Sequence, residues 1–353
     1  MAKLKDRNYF SELFAEQGLL LIGHVPLVGD DRHFSRFEQW LSRGHHAGMS
    51  FMENHRAIRR DPRLLQEGLQ SSLVFGLNYY QGDRLHSSNT RVAQYARFQD
   101  YHKLLRKKAQ KLLGQLSESI PQLEGRVTID SAPLLERALA SRSQSGFIGK
   151  NTCFILPREG SFYLLGELHL NQQLFPFDKP AVVDPQQRSE EGGCGTCKRC
   201  QVNCPTGALD EDYTLDAKLC LSYWTIEHRG LVPTKFWPWF AKYWYGCDIC
   251  QLACPYNRKA SINIQLPLKS QLADLDLFQV ATMDQGFYEA TFGGSPMTRA
   301  KRVGLQRNAL IALFVTQDER LDSAIGMIER DNEQNGVLRD TIKQIRAELS
   351  CDR

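Results

Sequence analysis

Eight of the ten cysteines of this chain lie between residues 194 and 254, in two arrays of closely spaced thiols. The arrays read Cys194-x2-Cys197-x2-Cys200-x3-Cys204-Pro205 and Cys247-x2-Cys250-x3-Cys254-Pro255, with Cys220 between them. Thiolates three residues apart on a tight loop can bind different irons of one cubane cluster while backbone N–H groups point at its sulfides. The eight thiols therefore predict two [4Fe–4S] clusters, and with them an electron relay.

The spacing also predicts which thiols share a cluster. In the bacterial ferredoxin run, the cysteine before the proline ligates the other cluster, and the proline then turns the chain away. By this rule the first cluster takes Cys194, Cys197, Cys200 and Cys254. The second cluster takes Cys204, Cys220, Cys247 and Cys250.

Two other uses of these cysteines are weaker. C-x2-C pairs often hold zinc, but two zinc sites would not explain the paired x3-Cys-Pro endings. Disulfides are disfavoured because nothing in the sequence indicates an oxidising compartment. Cys153 follows the pattern of a buried strand residue in an apolar run, and Cys351 lies near the C-terminus.

Composition indicates a folded globular protein of two or three domains, with 353 residues of which 42% are hydrophobic and 24% charged. The longest apolar stretch near the start, residues 19–22, is too short to span a bilayer. The N-terminus has neither paired arginines nor the apolar segment of an export signal. We therefore expect a soluble, cytoplasmic protein.

The net charge of +4 is too small to indicate a nucleic-acid partner, but the basic residues are clustered. Each cluster taken alone is more typical of a solvated helix face, and together they are compatible with a polyanionic substrate. The three clusters are Arg56, Arg59, Arg60 and Arg63; Lys103, Arg106, Lys107, Lys108 and Lys111; and Arg299, Lys301, Arg302 and Arg307.

The patterning predicts an α+β protein in three parts. Residues 1–180 combine apolar strands with an amphipathic helix at about 98–118, and we expect an α/β domain there. A Pro-, Asp- and Gln-rich linker at 176–193 leads into a ferredoxin-like module, residues 181–265. Residues 266–353 read as a short all-α region.

Asp130 lies at the end of a predicted short strand at 127–130. A residue in this position is most often a helix N-cap or a solvated loop residue, and Pro133 strengthens that interpretation. The alternative is a carboxylic acid beside a buried cofactor, with its pKa raised by desolvation so that it can donate a proton. The nearby stretch 145–151 is not a nucleotide-binding phosphate loop, because Gln144 and Asn151 replace required residues. A glycine turn that lets the backbone approach a large flat cofactor fits it better.

At these segments the chain resembles the epoxyqueuosine reductases, cobalamin-dependent enzymes that complete queuosine in transfer RNA. The match covers most of the chain in order. The Gly-Cys-Asp-x-Cys-Gln context of the last cysteine array is its most specific part. The matching segments are residues 59–63, 95–102, 130–140, 149–152, 194–209, 220–230, 245–255 and 305–310.

The resemblance implies that the clusters pass electrons to a base-off cobalamin, which acts on the epoxide of the modified anticodon base. Asp130 aligns with the family's proton donor. Arg59, Lys150, Asn151 and Ser222 fall on positions expected to approach the corrin. A HEAT-like C-terminal region would help to hold the tRNA. The electron donor would be a reductase, a flavodoxin or a ferredoxin, and we expect a monomer with no membrane partner.

Two departures from the family pattern concern the cofactor pocket and the tRNA contacts. The chain has Ser-Gln-Ser-Gly-Phe at 143–147 where the family usually has Ala-Gly-Leu-Gly-Trp, and the helical part after 297 is short. Two other functions remain as alternatives. A cobalamin-dependent reductive dehalogenase would usually carry a twin-arginine export signal, which is missing here. A non-catalytic ferredoxin-type electron carrier would not need the large first domain.

Overall fold

The computed structural model describes residues 6–82, 91–143, 145–179, 193–263, 266–272, 275–330 and 335–351. The predicted linker at 176–193 therefore lies largely outside the described residues. Within these ranges no helix is both long and apolar enough to cross a membrane.

A four-stranded sheet forms the centre of the N-terminal part. The strands of the molecule are β1 Leu20–Pro26, β2 Ser71–Asn78, β3 Arg91–Val92, β4 Gly125–Thr128, β5 Phe147–Ile148, β6 Phe154–Ile155, β7 Tyr163–Leu170 and β8 Tyr243–Tyr245. The central sheet has the order β1-β2-β7-β4, and every neighbouring pair in it is antiparallel. The mixed α+β class is confirmed, but the α/β label for the first domain is wrong in its usual sense of parallel strands. Apolar runs indicate burial and not strand direction.

Twelve α-helices surround and extend this sheet within the described ranges. They are α1 Arg7–Glu16, α2 Asp31–Ser42, α3 Arg56–Arg60, α4 Tyr101–Ser119, α5 Glu136–Ser141, α6 Arg199–Val202, α7 Ile249–Leu252, α8 Leu277–Ala281, α9 Gln285–Phe292, α10 Lys301–Val315, α11 Leu321–Arg330 and α12 Gly336–Cys351. The predicted amphipathic helix is α4, whose apolar face packs on the sheet. Its first turn is capped by Asp100, which accepts a hydrogen bond from the backbone N–H of His102 at 3.0 Å. This cap fixes where the polar residues at the start of α4 lie.

The largest core runs across the boundary that the sequence suggests near residue 265. Apolar residues between 221 and 245 pack together with those of α8, α10, α11 and α12 in one cluster. The segment that carries Cys220 is therefore supported by the C-terminal helices.

Arg307 of α10 holds that segment directly. It is 1% exposed, and its guanidinium donates hydrogen bonds to the carbonyl oxygens of Trp224 at 2.7 Å and Gly230 at 2.7 Å. The interpretation of Arg307 as part of a basic surface is therefore wrong. Helix α10 is buried on nearly all sides, so a basic residue on it faces the protein interior.

Candidate active site

The eight clustered cysteines gather into two cages. Cys194, Cys197, Cys200 and Cys254 line one small cavity. Cys204, Cys220, Cys247 and Cys250 line one end of a larger cleft beside it. The one-turn helices α6 and α7 carry Cys200 and Cys250 and pack against each other. These are the same two sets that the crossover rule assigns.

The chemistry of both cages suits iron–sulfur clusters. The backbone N–H of Lys150 donates to Cys194 Sγ at 3.4 Å, and the N–H groups of Tyr223 and Ser222 point at Cys220. Burial raises the pKa of Cys247 and of Cys254 to about 12, so iron must displace their protons on binding. Within the described ranges no three His, Cys, Asp or Glu side chains converge as ligands of a single metal ion. A cubane cluster spreads its thiolates around a wider centre.

The cleft that opens from the second cage has a volume of about 1310 Å³. This exceeds the range of roughly 300–1,000 Å³ that is usual for drug-sized ligands. Its walls come from α2, α3, α5, the loop that follows β4 and the cysteine-bearing segments. Among the residues predicted from the sequence, Arg59, Asn151, Ser222 and Asp130 line it.

Lys150 lies elsewhere. Its side chain is 5% exposed, its ammonium pairs with Asp212 at 2.9 Å, and its backbone N–H donates to Cys194 of the first cage. The residue thus belongs to the turn that covers the first cluster and does not line the large cleft.

Asp130 lies at the rim of the cleft, two residues after β4, with a left-handed backbone (φ 55°). Its Oδ2 accepts a hydrogen bond from the Tyr101 hydroxyl at 2.8 Å and contacts His102 Nε2 at 3.0 Å. These partners, His102 first, hold the pKa of Asp130 below its ordinary value. In this arrangement hydrogen bonds to the carboxylate outweigh burial, so desolvation does not raise this pKa.

His102 also lines the cleft, and sequence reasoning did not single it out. Its Nδ1 contacts Asp100 Oδ1 at 2.8 Å while Nε2 faces Asp130. Burial disfavours the charged imidazole, but the two carboxylates together outweigh burial, and the pKa of His102 is raised. The segment Asp100-Tyr-His102, within the 95–102 match, was the available signal.

Cys153 differs from its predicted role as a buried strand residue. It lies just before β6, is partly exposed and lines the cleft, where its thiol faces that of Cys250. It is thus a neighbour of the second cage.

Comparison with known proteins identifies both parts of this site. Residues 193–257 match the 4Fe-4S double cluster binding domain, and residues 59–131 match the family model described as epoxyqueuosine reductase QueG, DUF1730. The chain therefore carries a domain for two [4Fe–4S] clusters.

Whole-chain similarity extends beyond these domains. The chain is 34% identical over 290 residues to the epoxyqueuosine reductase of Aliivibrio fischeri, covering 80% of this chain and 76% of that protein. It is 33% identical over 324 residues to that of Salmonella typhimurium, with 89% and 82% covered. A crystal structure of epoxyqueuosine reductase with an epoxyqueuosine-modified tRNA-Tyr stem loop superposes with a TM-score of 0.81, at 26% identity and with 95% and 88% covered. The chain thus belongs to the epoxyqueuosine reductase family.

Proposed function

We propose that this protein is an oxidoreductase that reduces the epoxide of epoxyqueuosine in a tRNA anticodon to give queuosine. The observation that carries the proposal is that a source of electrons and a source of protons border the same cleft. The second cysteine cage opens into the cleft and would deliver electrons, while Asp130 at the rim, bonded to His102, would deliver a proton. The tRNA-bound relative supports an RNA substrate.

The cleft fits a base-off cobalamin. It is larger than a pocket for a drug-sized ligand, and its wall includes apolar and aromatic side chains such as Phe37, Trp40 and Leu134. Arg59, Asn151 and Ser222 would supply polar contacts to the corrin and its side chains. When bound, cobalamin would supply a reduced cobalt centre that reacts with the epoxide. Lys150 is not assigned to this cofactor, because its ammonium pairs with Asp212.

Asp130 and His102 would hold the proton for the leaving oxygen. Reduction of an epoxide to an alkene consumes two electrons and two protons and releases water. His102 would carry a proton as imidazolium and restore Asp130 after each donation. Tyr101 fixes the orientation of the carboxylate through its 2.8 Å bond.

The remaining parts of the chain would bring the two substrates together. The first cage, with Cys194 and Cys197 partly exposed, would accept electrons from a reductase, a flavodoxin or a ferredoxin. The HEAT-like helices after residue 266 would contact the tRNA. We assign the protein to the cytoplasm as a monomer, with a cofactor domain at 1–180 and a cluster module at 181–265.

The test is anaerobic reconstitution with iron, sulfide and cobalamin, followed by reaction with epoxyqueuosine tRNA and a strong reductant. Nucleosides are then analysed by mass, with a matched reaction that lacks cobalamin. Queuosine should form only with cobalamin. Asp130→Asn should keep iron and cobalamin but lose about 100-fold or more in rate. Unchanged turnover in that variant would remove the donor role of Asp130.

Two results would replace the proposed function. Absence of queuosine with turnover of an organohalide would favour a reductive dehalogenase. Clusters that exchange electrons in a protein that binds no cobalamin would favour an electron carrier.

A further inference from the structure

A cluster of buried polar side chains lies in the sheet beneath Asp130 and has no part in the mechanism so far. Glu167 of β7 faces Thr128 of β4 across the sheet, and the Thr128 hydroxyl donates to Glu167 Oε2 at 2.7 Å. His169 Nε2 contacts the same hydroxyl at 2.9 Å. Glu167 and His169 are both 0% exposed. A carboxyl group this deep in a sheet needs a partner for each oxygen.

A second carboxyl group joins this cluster to the cleft. Glu136 is the first residue of α5, which packs on β7, and it lines the cleft. The backbone N–H of Asp130 points at its carboxylate. Glu136 Oε1 and Glu167 Oε1 are both buried and lack a hydrogen-bond partner among the described residues. One proton held between the two carboxyl groups would satisfy both oxygens.

The electrostatic environment favours protonation of this pair of glutamates. Burial, with repulsion from neighbouring carboxylates, raises the pKa of Glu167 to about 8 and that of Glu136 well above its ordinary value. Burial also lowers the pKa of His169 to about 3. The neutral imidazole can therefore donate Nε2–H to Thr128, which directs the Thr128 proton to Glu167.

The charged groups around the pair do not abolish protonation of the two glutamates. The ionisable groups that face the pair are Asp130, Arg59, Arg137 and Tyr101 around Glu136, and Asp130 and His169 around Glu167, with Arg126 behind His169. Outside the pair, the carboxylate of Asp130 favours protonation of both glutamates.

We propose that Glu136 and Glu167 share a proton beneath Asp130 and deliver it as the second proton of epoxide reduction. This inference rests on the proposed function. The first proton passes from Asp130 to the epoxide oxygen, and His102 restores it. Two electrons arrive through the clusters, both C–O bonds break, and a C=C bond forms. The shared proton passes from Glu136 to the same oxygen, which leaves as water. Solvent in the cleft that Glu136 lines then returns a proton to the pair.

The test combines infrared spectroscopy with single-turnover rates of queuosine formation. The reconstituted wild-type protein should show a protonated carboxylic acid band that is lost in Glu167→Gln and in Glu136→Gln. Each variant should be slower by about 10-fold or more at neutral pH. Glu124→Gln, an exposed glutamate before β4, is the matched control and should change neither property.

The pKa of Glu167 sets the direction in which the rate should change with pH. The shared proton is present below the pKa of Glu167, about 8, and is lost as pH rises through it. Wild-type rates should therefore fall more steeply through that range than Glu167→Gln rates, so the difference between them narrows at high pH.

An unaltered rate profile in both variants, or a carboxylic acid band that persists in both, would overturn the proposal. If the wild-type protein forms queuosine in the same assay, the proposed function holds, and a negative result with the variants overturns only the shared proton. Iron content and thermal unfolding check folding. If Glu167→Gln does not fold, Glu136→Gln decides alone, because its side chain borders the cleft.

Discussion

At the scale of single residues, Asp130 and His102 titrate as one unit. The imidazole joins two carboxylates, Asp100 at 2.8 Å and Asp130 at 3.0 Å. Each carboxylate favours the charged imidazole, and the imidazole in turn favours the charged form of Asp130. The proton of this unit is therefore held on His102 in preference to Asp130, one hydrogen bond away from the proposed donor, and to higher pH than on an ordinary imidazole.

Replacement of His102 should change the rate and also its pH dependence. In His102→Asn the main cause of the low Asp130 pKa is lost, so Asp130 becomes protonated at higher pH than in the wild type. At about pH 8 the variant has neither imidazolium nor protonated Asp130, and queuosine formation should fall about 100-fold. As pH falls further, Asp130 increasingly binds its own proton and the deficit should narrow.

Single-turnover rates across this pH range are the measurement. A deficit that is the same at every pH would show that His102 only orients its neighbours. The trend is opposite to that expected for Glu167→Gln, whose deficit narrows at high pH, so the two proton sources can be distinguished.

The sequence predicted the position of Asp130 but neither its pKa nor its partners. Its place after a strand follows from a local apolar pattern. The groups that set its charge, Tyr101 and His102, come from 29 and 28 residues earlier in the chain. Glu136 and Glu167 were missed for the same reason, because their pairing depends on how α5 packs on β7.

Among the elements, the cysteine cages were the most predictable part of the site. Their ligands lie in two short arrays whose spacing is dictated by the cluster itself. Strand direction was not predictable in this way. The strands β6 and β7 follow one another in the chain, yet β6 pairs with β5 while β7 joins the central sheet. Their apolar residues indicate burial and do not specify these partners.

Cys220 tests the cage assignment, because it is the ligand that lies outside both arrays. The wild-type protein should bind about eight irons, and Cys220→Ala about four, since the second cluster loses a thiolate. Cys153→Ala is the matched control. Its thiol also lies beside Cys250, but it belongs to neither ligand set and should leave the iron content unchanged. Iron and sulfide analysis after reconstitution measures both, and a full complement in Cys220→Ala would show that the ligand set is wrong.

Helix α10 stabilises the element that carries Cys220. In Arg307→Met the carbonyl groups of Trp224, His228 and Gly230 lose their buried donor. The free energy of unfolding should fall by about 3 kcal/mol. The exposed Arg339→Met on α12 should change it by less than about 0.5 kcal/mol. Chemical denaturation followed by circular dichroism compares the two variants, and equal midpoints would contradict a structural role for Arg307.

At the scale of the whole molecule, the basic clusters differ in how much of their positive charge is paired with carboxylates. Arg56 pairs with Glu38 at 3.3 Å, and Arg299 with Glu227 at 2.9 Å. The basic face of α4 has no ion pair within the described part of the chain. Its exposed members are Lys103, Arg106, Lys107 and Lys111. Because α4 begins beside the active site at His102, this face is the strongest candidate for contact with the phosphates of a tRNA whose modified base enters the cleft.

Neutralising this face should weaken RNA binding without changing the chemical step. The test variant combines Arg106→Gln, Lys107→Gln and Lys111→Gln. If these side chains contact phosphates, the slope of log affinity against log salt should become shallower by about 2, at roughly 0.7 for each contact to a single strand. The control variant combines Arg158→Gln, Lys179→Gln and Lys242→Gln, three exposed residues outside α4 and outside the helices after residue 266. Fluorescence anisotropy with a labelled stem loop at several salt concentrations measures both slopes. An equal decrease of the slope in the two variants would reflect net charge alone and would contradict a specific role for α4. A decrease confined to the α4 variant, with single-turnover rates at saturating tRNA preserved, would establish this face as the surface that binds RNA next to the cleft.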